Sequence, residues 1–277
     1  MNPSTSAKAS KMTRLTVKHL ALAKQNKNPL VAITAYDANF ARLVDAAGVD
    51  IILVGDSLGN TTLGFENTVP VTLAMMQHHG AAVMRGSTRA LVGVDLPFGT
   101  YHAHTDAELS QIRDLIQNTG CQFVKLEGAG AHQLELVQIL TSMGIAVMGH
   151  LGYTPQQVHR LGGPKASGKN PAETLQLRLD AEALANAGVC ALVLEMLPQD
   201  QAETLSDVLK IPTIGIGSGP HCDGQILVLH DVLGLDERFA PKFAKRYANF
   251  EKQAVAAVKD YADEVRKKIF PETPHNI

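Results

Sequence analysis

The sequence predicts an α/β fold, a closed (β/α)8 TIM barrel in a single domain, and three observations predict it. Short apolar runs alternate with helical stretches along nearly the whole chain, with no break in composition. Four of those runs, at 49–55, 92–94, 123–126 and 191–194, finish on an acid: Asp56, Asp95, Glu127 and Glu195. In a parallel barrel those four ends face one another across one mouth, where such barrels do chemistry. The length, 277 residues, also suits one barrel.

Taken in order, residues 15–24 have helical spacing and 30–35 form the first strand. A helix over 37–47 carries Phe40, Leu43 and Val44 at helical spacing and stops at Gly48. The second strand, 49–55, is rich in leucine and β-branched residues, as suits a strand buried on both faces. Gly55 lets the backbone crowd a neighbour just before Asp56. A long connection at 59–69 leads to a helix over 72–85, a strand over 90–95 and a helix over 106–119 stopped by Gly120. A strand over 121–127, a helix over 131–142 and a strand over 145–149 ending at His150 follow. The connection 151–170 is the longest, and such a loop in a compact domain is usually functional or mobile. Within it, Thr154-Pro155 reads as an N-cap followed by a proline at the first helical position. A helix over 173–187, a strand over 189–195, a helix over 200–209, strands over 212–216 and 226–229, and a charged helical remainder over 241–270 complete the chain. Residues 1–12 read as a flexible tail, and 13–277 as the catalytic barrel with C-terminal helices. An open doubly wound sheet is the main alternative. Gly215-x-Gly217-x-Gly219 falls too late, and with the wrong spacing, to argue for a nicotinamide cofactor.

Composition excludes several classes. Lys and Arg number 25 against 27 Asp and Glu, so a nucleic acid or an anionic membrane finds no electrostatic footprint. No apolar run approaches the roughly 20 residues that span a bilayer. Cys121, Cys190 and Cys222 are widely spaced and lack a Cys-x-x-Cys pair, which argues against a disulfide framework or structural zinc and fits a reducing cytoplasm.

The acids carry the chemistry. Adjacent strands lie ~4.8 Å apart, so Asp56, Asp95 and Glu127 end close together. Three carboxylates in one low-dielectric mouth repel, and a divalent cation relieves them. All-oxygen donors favour magnesium or manganese. Lys125 lies two residues before Glu127, so alternation turns both inward, where the lysine can hold a substrate carboxylate. Blander readings stand beside these. A strand-end Asp is commonly a cap or turn residue, Lys125 can simply pair with a neighbouring acid, His150 can be structural, and Glu195 can cap the next helix. The adjacent His78-His79 reads as surface or packing.

The motifs Ala35-Tyr36-Asp37, Leu53-Val54-Gly55-Asp56-Ser57-Leu58-Gly59, Val69-Pro70-Val71-Thr72, Asp95-Leu96-Pro97-Phe98-Gly99, Val124-Lys125-Leu126-Glu127-Gly128, Gly149-His150-Leu151-Gly152-Tyr153-Thr154-Pro155-Gln156 and Val193-Leu194-Glu195, with 211–217 and Cys222-Asp223-Gly224-Gln225, together resemble the ketopantoate hydroxymethyltransferase family. The match runs in order from 13 to 271. The resemblance implies a barrel of the phosphoenolpyruvate/pyruvate superfamily. It implies transfer of a hydroxymethyl group from 5,10-methylenetetrahydrofolate to 3-methyl-2-oxobutanoate, giving 2-dehydropantoate in pantothenate biosynthesis through a magnesium-stabilised enolate. By position, it implies Asp56 and Asp95 as Mg2+ ligands that also meet substrate, and Glu127 as the third metal group, directly or through water. It implies Ser57, Lys125 and His150 at the 2-oxo acid and Glu195 as catalytic base. It also implies a homodecamer, a pentamer of dimers. Departures are small: Asn60-Thr61-Thr62 is more polar than usual, Tyr153 stands for a common Leu, Ser218 stands for a common Ala, and 163–168 is a loose version of its loop. The runner-up is a carbon–carbon lyase of the same superfamily, although Cys222 lacks the context of a catalytic cysteine loop. A barrel that only binds small acids is a third reading, which the full acid set opposes.

Overall fold

The computed structural model describes residues 13–101, 105–163, 168, 170–238 and 241–272. The tail expected over 1–12 lies outside the described residues. The chain divides into two compact units, 1–226 and 227–277.

The first unit builds the barrel. Its elements run α1 (Val17–Gln25), β1 (Leu30–Thr34), α2 (Ala38–Ala46), β2 (Ile51–Val54), α3 (Leu58–Thr61), α4 (Leu73–Gly86), β3 (Leu91–Asp95), α5 (Asp106–Thr119), β4 (Phe123–Lys125), α6 (Ala131–Ser142) and β5 (Ala146–Gly152). A 3-10 turn (Pro155–Gln157), α7 (Val158–Leu161), α8 (Pro171–Ala187), β6 (Ala191–Glu195), α9 (Gln199–Val208), β7 (Thr213–Ile216) and β8 (Gly224–Leu227) follow. The strands pair in sequence order, in parallel, into a closed barrel of eight. The predicted α/β barrel is the fold observed, and the open sheet is excluded.

Local signals explain the helix ends. The Asp37 carboxylate accepts from the N–H groups of Asn39 and Phe40 and so caps α2. Thr105 and Glu108 form a reciprocal capping box on α5, and Gly120 ends it at φ 75°. Asn170 caps α8, with Pro171 in its first turn.

One parity of each strand fills the barrel. Leu30, Ala32, Ile51, Leu53, Leu91, Phe123, Met148, Ala191, Val193, Ile214 and Ile226 form its apolar interior, and Leu20 of α1 joins them. Hydrogen bonds from Leu15 N to Arg89 O (2.7 Å) and from Lys24 Nζ to Asp223 (2.6 Å) hold α1 against the N-terminal ends of the strands. Phe123 needs the space that Gly93 leaves: a Cβ at 93 would sit 2.1 Å from its ring.

Several predicted bounds move. β5 runs to Gly152, three residues past the expected 149, so His150 lies within the strand. β8 begins at Gly224 rather than 226, because Asp223 starts the pairing early: its carbonyl accepts from Leu30 N (2.9 Å) and its carboxylate from Thr213 N (2.8 Å). The connection expected over 59–69 contains the single turn α3 at its start. Thr154 precedes a 3-10 turn without a side-chain cap bond. In the second unit, α10 (Leu229–Leu233) is followed by α11 (Phe250–Arg266), shorter than the helix expected over 241–270. Residues 241–249 instead make turns, with Ala244 N bonded to Pro241 O and Tyr247 N to Val232 O.

Candidate active site

Alternation along the strands builds the site from the barrel interior upward. Above the apolar layers, the next inward residue is polar or ionisable on most strands: Thr34 on β1, Asp95 on β3, Lys125 on β4, His150 on β5 and Glu195 on β6. Asp95 stands in register with Lys125, and Glu195 with Gly152. Asp56 follows β2 by two residues, and its N–H donates to Asp95 Oδ2 at 3.1 Å. Glu127 follows β4 by two residues. It is held because Leu126 N and Gly128 N continue the ladder to Met148 O (3.2 Å) and His150 O (2.9 Å). Asp56, Asp95, Lys125, Glu127 and His150 are all buried, while the Glu195 side chain keeps 14% of its surface open. Ser57 stands beside Asp56, and its Oγ lies 2.8 Å from the Tyr36 hydroxyl.

The charges interlock. Lys125 Nζ lies 3.2 Å from Asp95 Oδ2, the pairing that its bland reading anticipated. His150 bridges two acids, with Nε2 3.1 Å from Glu195 Oε2 and Nδ1 3.5 Å from Glu127 Oε1. Burial, then the charges of Asp95 and Glu127, push the Asp56 carboxyl up to about 8 against Lys125 and Gln156. Burial also raises Asp95, although Lys125 and the Asp56 N–H oppose it. Burial and Lys125 would lower His150, but Glu127 and Glu195 outweigh them and raise it to about 9. Lys125 is raised as well: burial works against its charge, and Asp95, Glu127 and Asp56 together exceed that.

These residues fit a hard divalent cation. Asp95 Oδ1 is buried with no hydrogen-bond partner among the described residues. Asp56, Asp95, Glu127 and Glu195 set against Lys125 and His150 leave an excess of two negative charges when all are ionised. Among the described residues no three His, Cys, Asp or Glu side chains gather as a ready metal cage. Magnesium does not require one, since it keeps several waters and binds through one or two carboxylates plus substrate oxygens.

Beside the mouth lies a cavity of about 910 Å³. Phe98, Tyr101, Gly128, Gly152, Gln156 and Arg160 help line it, and none of the ionisable residues above does. It adjoins them through Gly128, next to Glu127, and Gly152, paired with Glu195.

Comparisons with known proteins decide the family. A model of ketopantoate hydroxymethyltransferase matches residues 14–273. The chain belongs to the ketopantoate hydroxymethyltransferase family. The 3-methyl-2-oxobutanoate hydroxymethyltransferase of Anaeromyxobacter sp. (strain Fw109-5) is 47% identical over 95% of this chain and 87% of its own length. The protein of the same name from Trichodesmium erythraeum (strain IMS101) is 48% identical over 94% of this chain and 98% of its own. Among solved structures, phosphonopyruvate hydrolase in complex with oxalate and Mg++ superposes with a TM-score of 0.60 at 12% identity, covering 94% of this chain and 93% of that one. A 2,3-dimethylmalate lyase of the PEP mutase/isocitrate lyase superfamily gives 0.56 at 14%, covering 95% and 89%. At such identities the likeness shows the fold alone.

Within this ketopantoate hydroxymethyltransferase fold, sequence reasoning assigned no role to several residues that shape the mouth. Met196, directly after Glu195, takes φ 53°, an uncommon value for a non-glycine residue that turns the chain out of β6 at this point. Ser218, one of the departures from the family pattern, is buried. Its Oγ donates to Leu194 O (2.8 Å) and accepts from Leu197 N (3.1 Å), bracketing Glu195. Tyr36 and Gln156 lay inside quoted motifs, but no spacing rule pointed to their partners. His79, read as packing or surface, bonds the Tyr36 carbonyl through Nδ1 (2.6 Å).

Proposed function

We propose that the chain transfers a hydroxymethyl group from 5,10-methylenetetrahydrofolate to 3-methyl-2-oxobutanoate, forming 2-dehydropantoate in pantothenate biosynthesis. Family membership supports the reaction class. The observation that carries the residue-level reading is the layer of Asp95, Lys125, His150 and Glu195, joined by Asp56 and Glu127, set on the apolar barrel interior.

Asp56 and Asp95 would hold a magnesium ion, with Glu127 as third group directly or through water, and the ion would polarise the keto group and acidify the C3 hydrogen of the 2-oxo acid. Lys125, kept an ammonium by its acidic neighbours, binds the substrate carboxylate. Ser57, fixed by Tyr36, contacts the same 2-oxo acid. Glu195 takes the C3 proton on its carboxylate. His150 Nε2, 3.1 Å from Glu195 Oε2, sets a charged imidazole beside that carboxylate. The electron pair left at C3 forms the new bond to the one-carbon unit as one of its two C–N bonds opens. Water replaces the remaining nitrogen and supplies the hydroxyl, and tetrahydrofolate leaves with one proton from C3 and one from water. The cavity of about 910 Å³ is the room for the donor: Phe98 offers an aromatic ring to its flat heterocycle, and Arg160 a charge to its carboxylate end.

The three cysteines are free, which fits a cytoplasmic protein. No described helix is long and apolar enough to cross a membrane. We expect a homo-oligomer, a decamer built as a pentamer of dimers. Exposed Val255, Val258, Tyr261 and Val265 along α11 support self-association. Sedimentation should give a mass near ten times 29.6 kDa, and a single-chain mass would contradict this.

The test of the reaction is formation of 2-dehydropantoate with each component withheld in turn. Product should require both magnesium and 5,10-methylenetetrahydrofolate. Turnover of the 2-oxo acid without the folate, by cleavage of a carbon–carbon bond, would favour a lyase.

A further inference from the structure

Gln156 is buried, with 4% of its surface exposed, and its side-chain amide and backbone N–H are engaged at the mouth. Its Nε2 donates to Asp56 Oδ2 and to Leu96 O, each at 2.9 Å. Its Oε1 accepts from the Tyr101 hydroxyl at 2.5 Å. Its backbone N–H donates to Glu127 Oε2 at 3.1 Å. The amide orientation is forced, because a backbone carbonyl can only accept, so the nitrogen must face Leu96. Tyr101 is tied in turn, since its oxygen accepts from Glu127 N at 3.4 Å. One side chain and one N–H therefore bind the side chains of Asp56, Glu127 and Tyr101, from the connections that follow β2, β4 and β3.

Gln156 belongs to the 3-10 turn that opens the long connection after β5, 100 residues from Asp56 in sequence. It is a neutral donor placed behind carboxylates that meet a cation. Such outer partners fix ligand orientation, and losing one typically costs about 10–100-fold in metal affinity.

We propose that Gln156 is the positioning residue of the cation site. It fixes the Asp56 and Glu127 carboxylates and links the pose of the segment after β5 to cation binding. Tyr101 supports it by holding the amide oxygen. The same two residues form part of the cavity wall, so a ligand entering there touches the groups that orient Asp56 and Glu127. This rests on the reading of Asp56 and Asp95 as cation ligands.

The test is direct binding of Mn2+ to the full-length protein without substrates, followed by electron paramagnetic resonance of the free ion. Gln156→Met keeps the length of the side chain and removes both hydrogen-bonding groups. Its Mn2+ dissociation constant should rise about 10–100-fold. Tyr101→Phe keeps the ring and should shift binding the same way by less, which gives a reading even where Gln156→Met fails to fold. In turnover, the activation constant for Mg2+ should rise in both variants, and added Mg2+ should recover a larger share of the lost rate in each than it adds to wild type. A purely structural role would lower thermal stability without this recovery. Wild-type Mn2+ affinity in folded Gln156→Met, or in Tyr101→Phe, overturns the proposal alone. Failure of the wild-type protein to bind Mn2+ removes the cation reading and this proposal with it.

Discussion

Asp95 takes the Lys125 ammonium and the Asp56 N–H on one carboxylate oxygen and leaves the other buried without a hydrogen-bond partner among the described residues. A buried, unpartnered carboxylate oxygen is costly, and a cation compensates it directly. Asp95→Asn keeps the shape and removes the charge. Its affinity for magnesium should fall on the order of 100-fold, at or beyond the upper end of what loss of an outer partner costs. Calorimetric titration measures it, and unchanged affinity would remove Asp95 from the ligand set. The sequence made this residue legible because a strand of Val and Gly ends on it, and an acid in that place recurs on β4 and β6. It gave no sign of the Lys125 pairing over a rival substrate contact, since both put the lysine on the same inward parity. Nor did it reveal that His150 stands between Glu127 and Glu195, which depends on β5 extending three residues past its apolar run.

Where β5 meets β6, Gly152 (φ 97°) lies so close that an added Cβ would come within 2.1 Å of the Glu195 carbonyl oxygen. Tyr153 N completes the contact by donating to that oxygen at 2.9 Å. Gly152→Ala should therefore push the strands apart and displace Glu195, lowering kcat about 100-fold while Mn2+ affinity stays within about twofold, since a 1 Å misplacement costs of that order. A loss of Mn2+ affinity equal to the loss of kcat would argue against so local an effect. At the other end of the barrel, Asp45 ties α2 to the turn before β3, accepting from Ala90 N (2.7 Å), Thr88 N (2.8 Å) and Arg89 N (3.1 Å). Burial pulls its carboxyl upward, but these donors outweigh it and hold it below its usual range. The folded value is thus depressed, so Asp45 stabilises the fold above pH ~4, and that contribution is lost as pH falls through the lowered folded value. Asp45→Asn should cost about 3 kcal/mol at neutral pH. The gap between its melting temperature and that of wild type should close in acid, and a constant gap would contradict the assignment. Elements with strong end signals were read correctly: α5 has Thr105, Glu108 and Gly120, and its predicted bounds coincide with those observed. β8 was misplaced because its first pairings come from Asp223 and Gly224, which carry no strand signal.

Across the whole molecule, the fold was legible because parallel strands buried on both faces leave short apolar runs, and several helices between them end on a glycine such as Gly120 and Gly188. The acids of the site were legible for the same reason, since barrel geometry carries four strand ends to one rim. The residues that hold those acids were not. Gln156 and Tyr101 act through contacts 100 and 55 residues apart in sequence, and no periodicity encodes such distances. The central claim joins opposite sides of the barrel: a base on β6 works on a substrate that acids at the ends of β2, β3 and β4 hold through a cation. Hydrogen exchange at C3 isolates that step from the folate. Protein, magnesium and 3-methyl-2-oxobutanoate are incubated in deuterated water, and loss of the C3 proton is followed by NMR. Wild type should exchange it only when magnesium is present. Glu195→Gln should bind the 2-oxo acid yet exchange about 10²–10⁴-fold more slowly, the usual cost of losing a general base. Exchange by Glu195→Gln at the wild-type rate, or exchange by wild type without any divalent cation, would contradict the account.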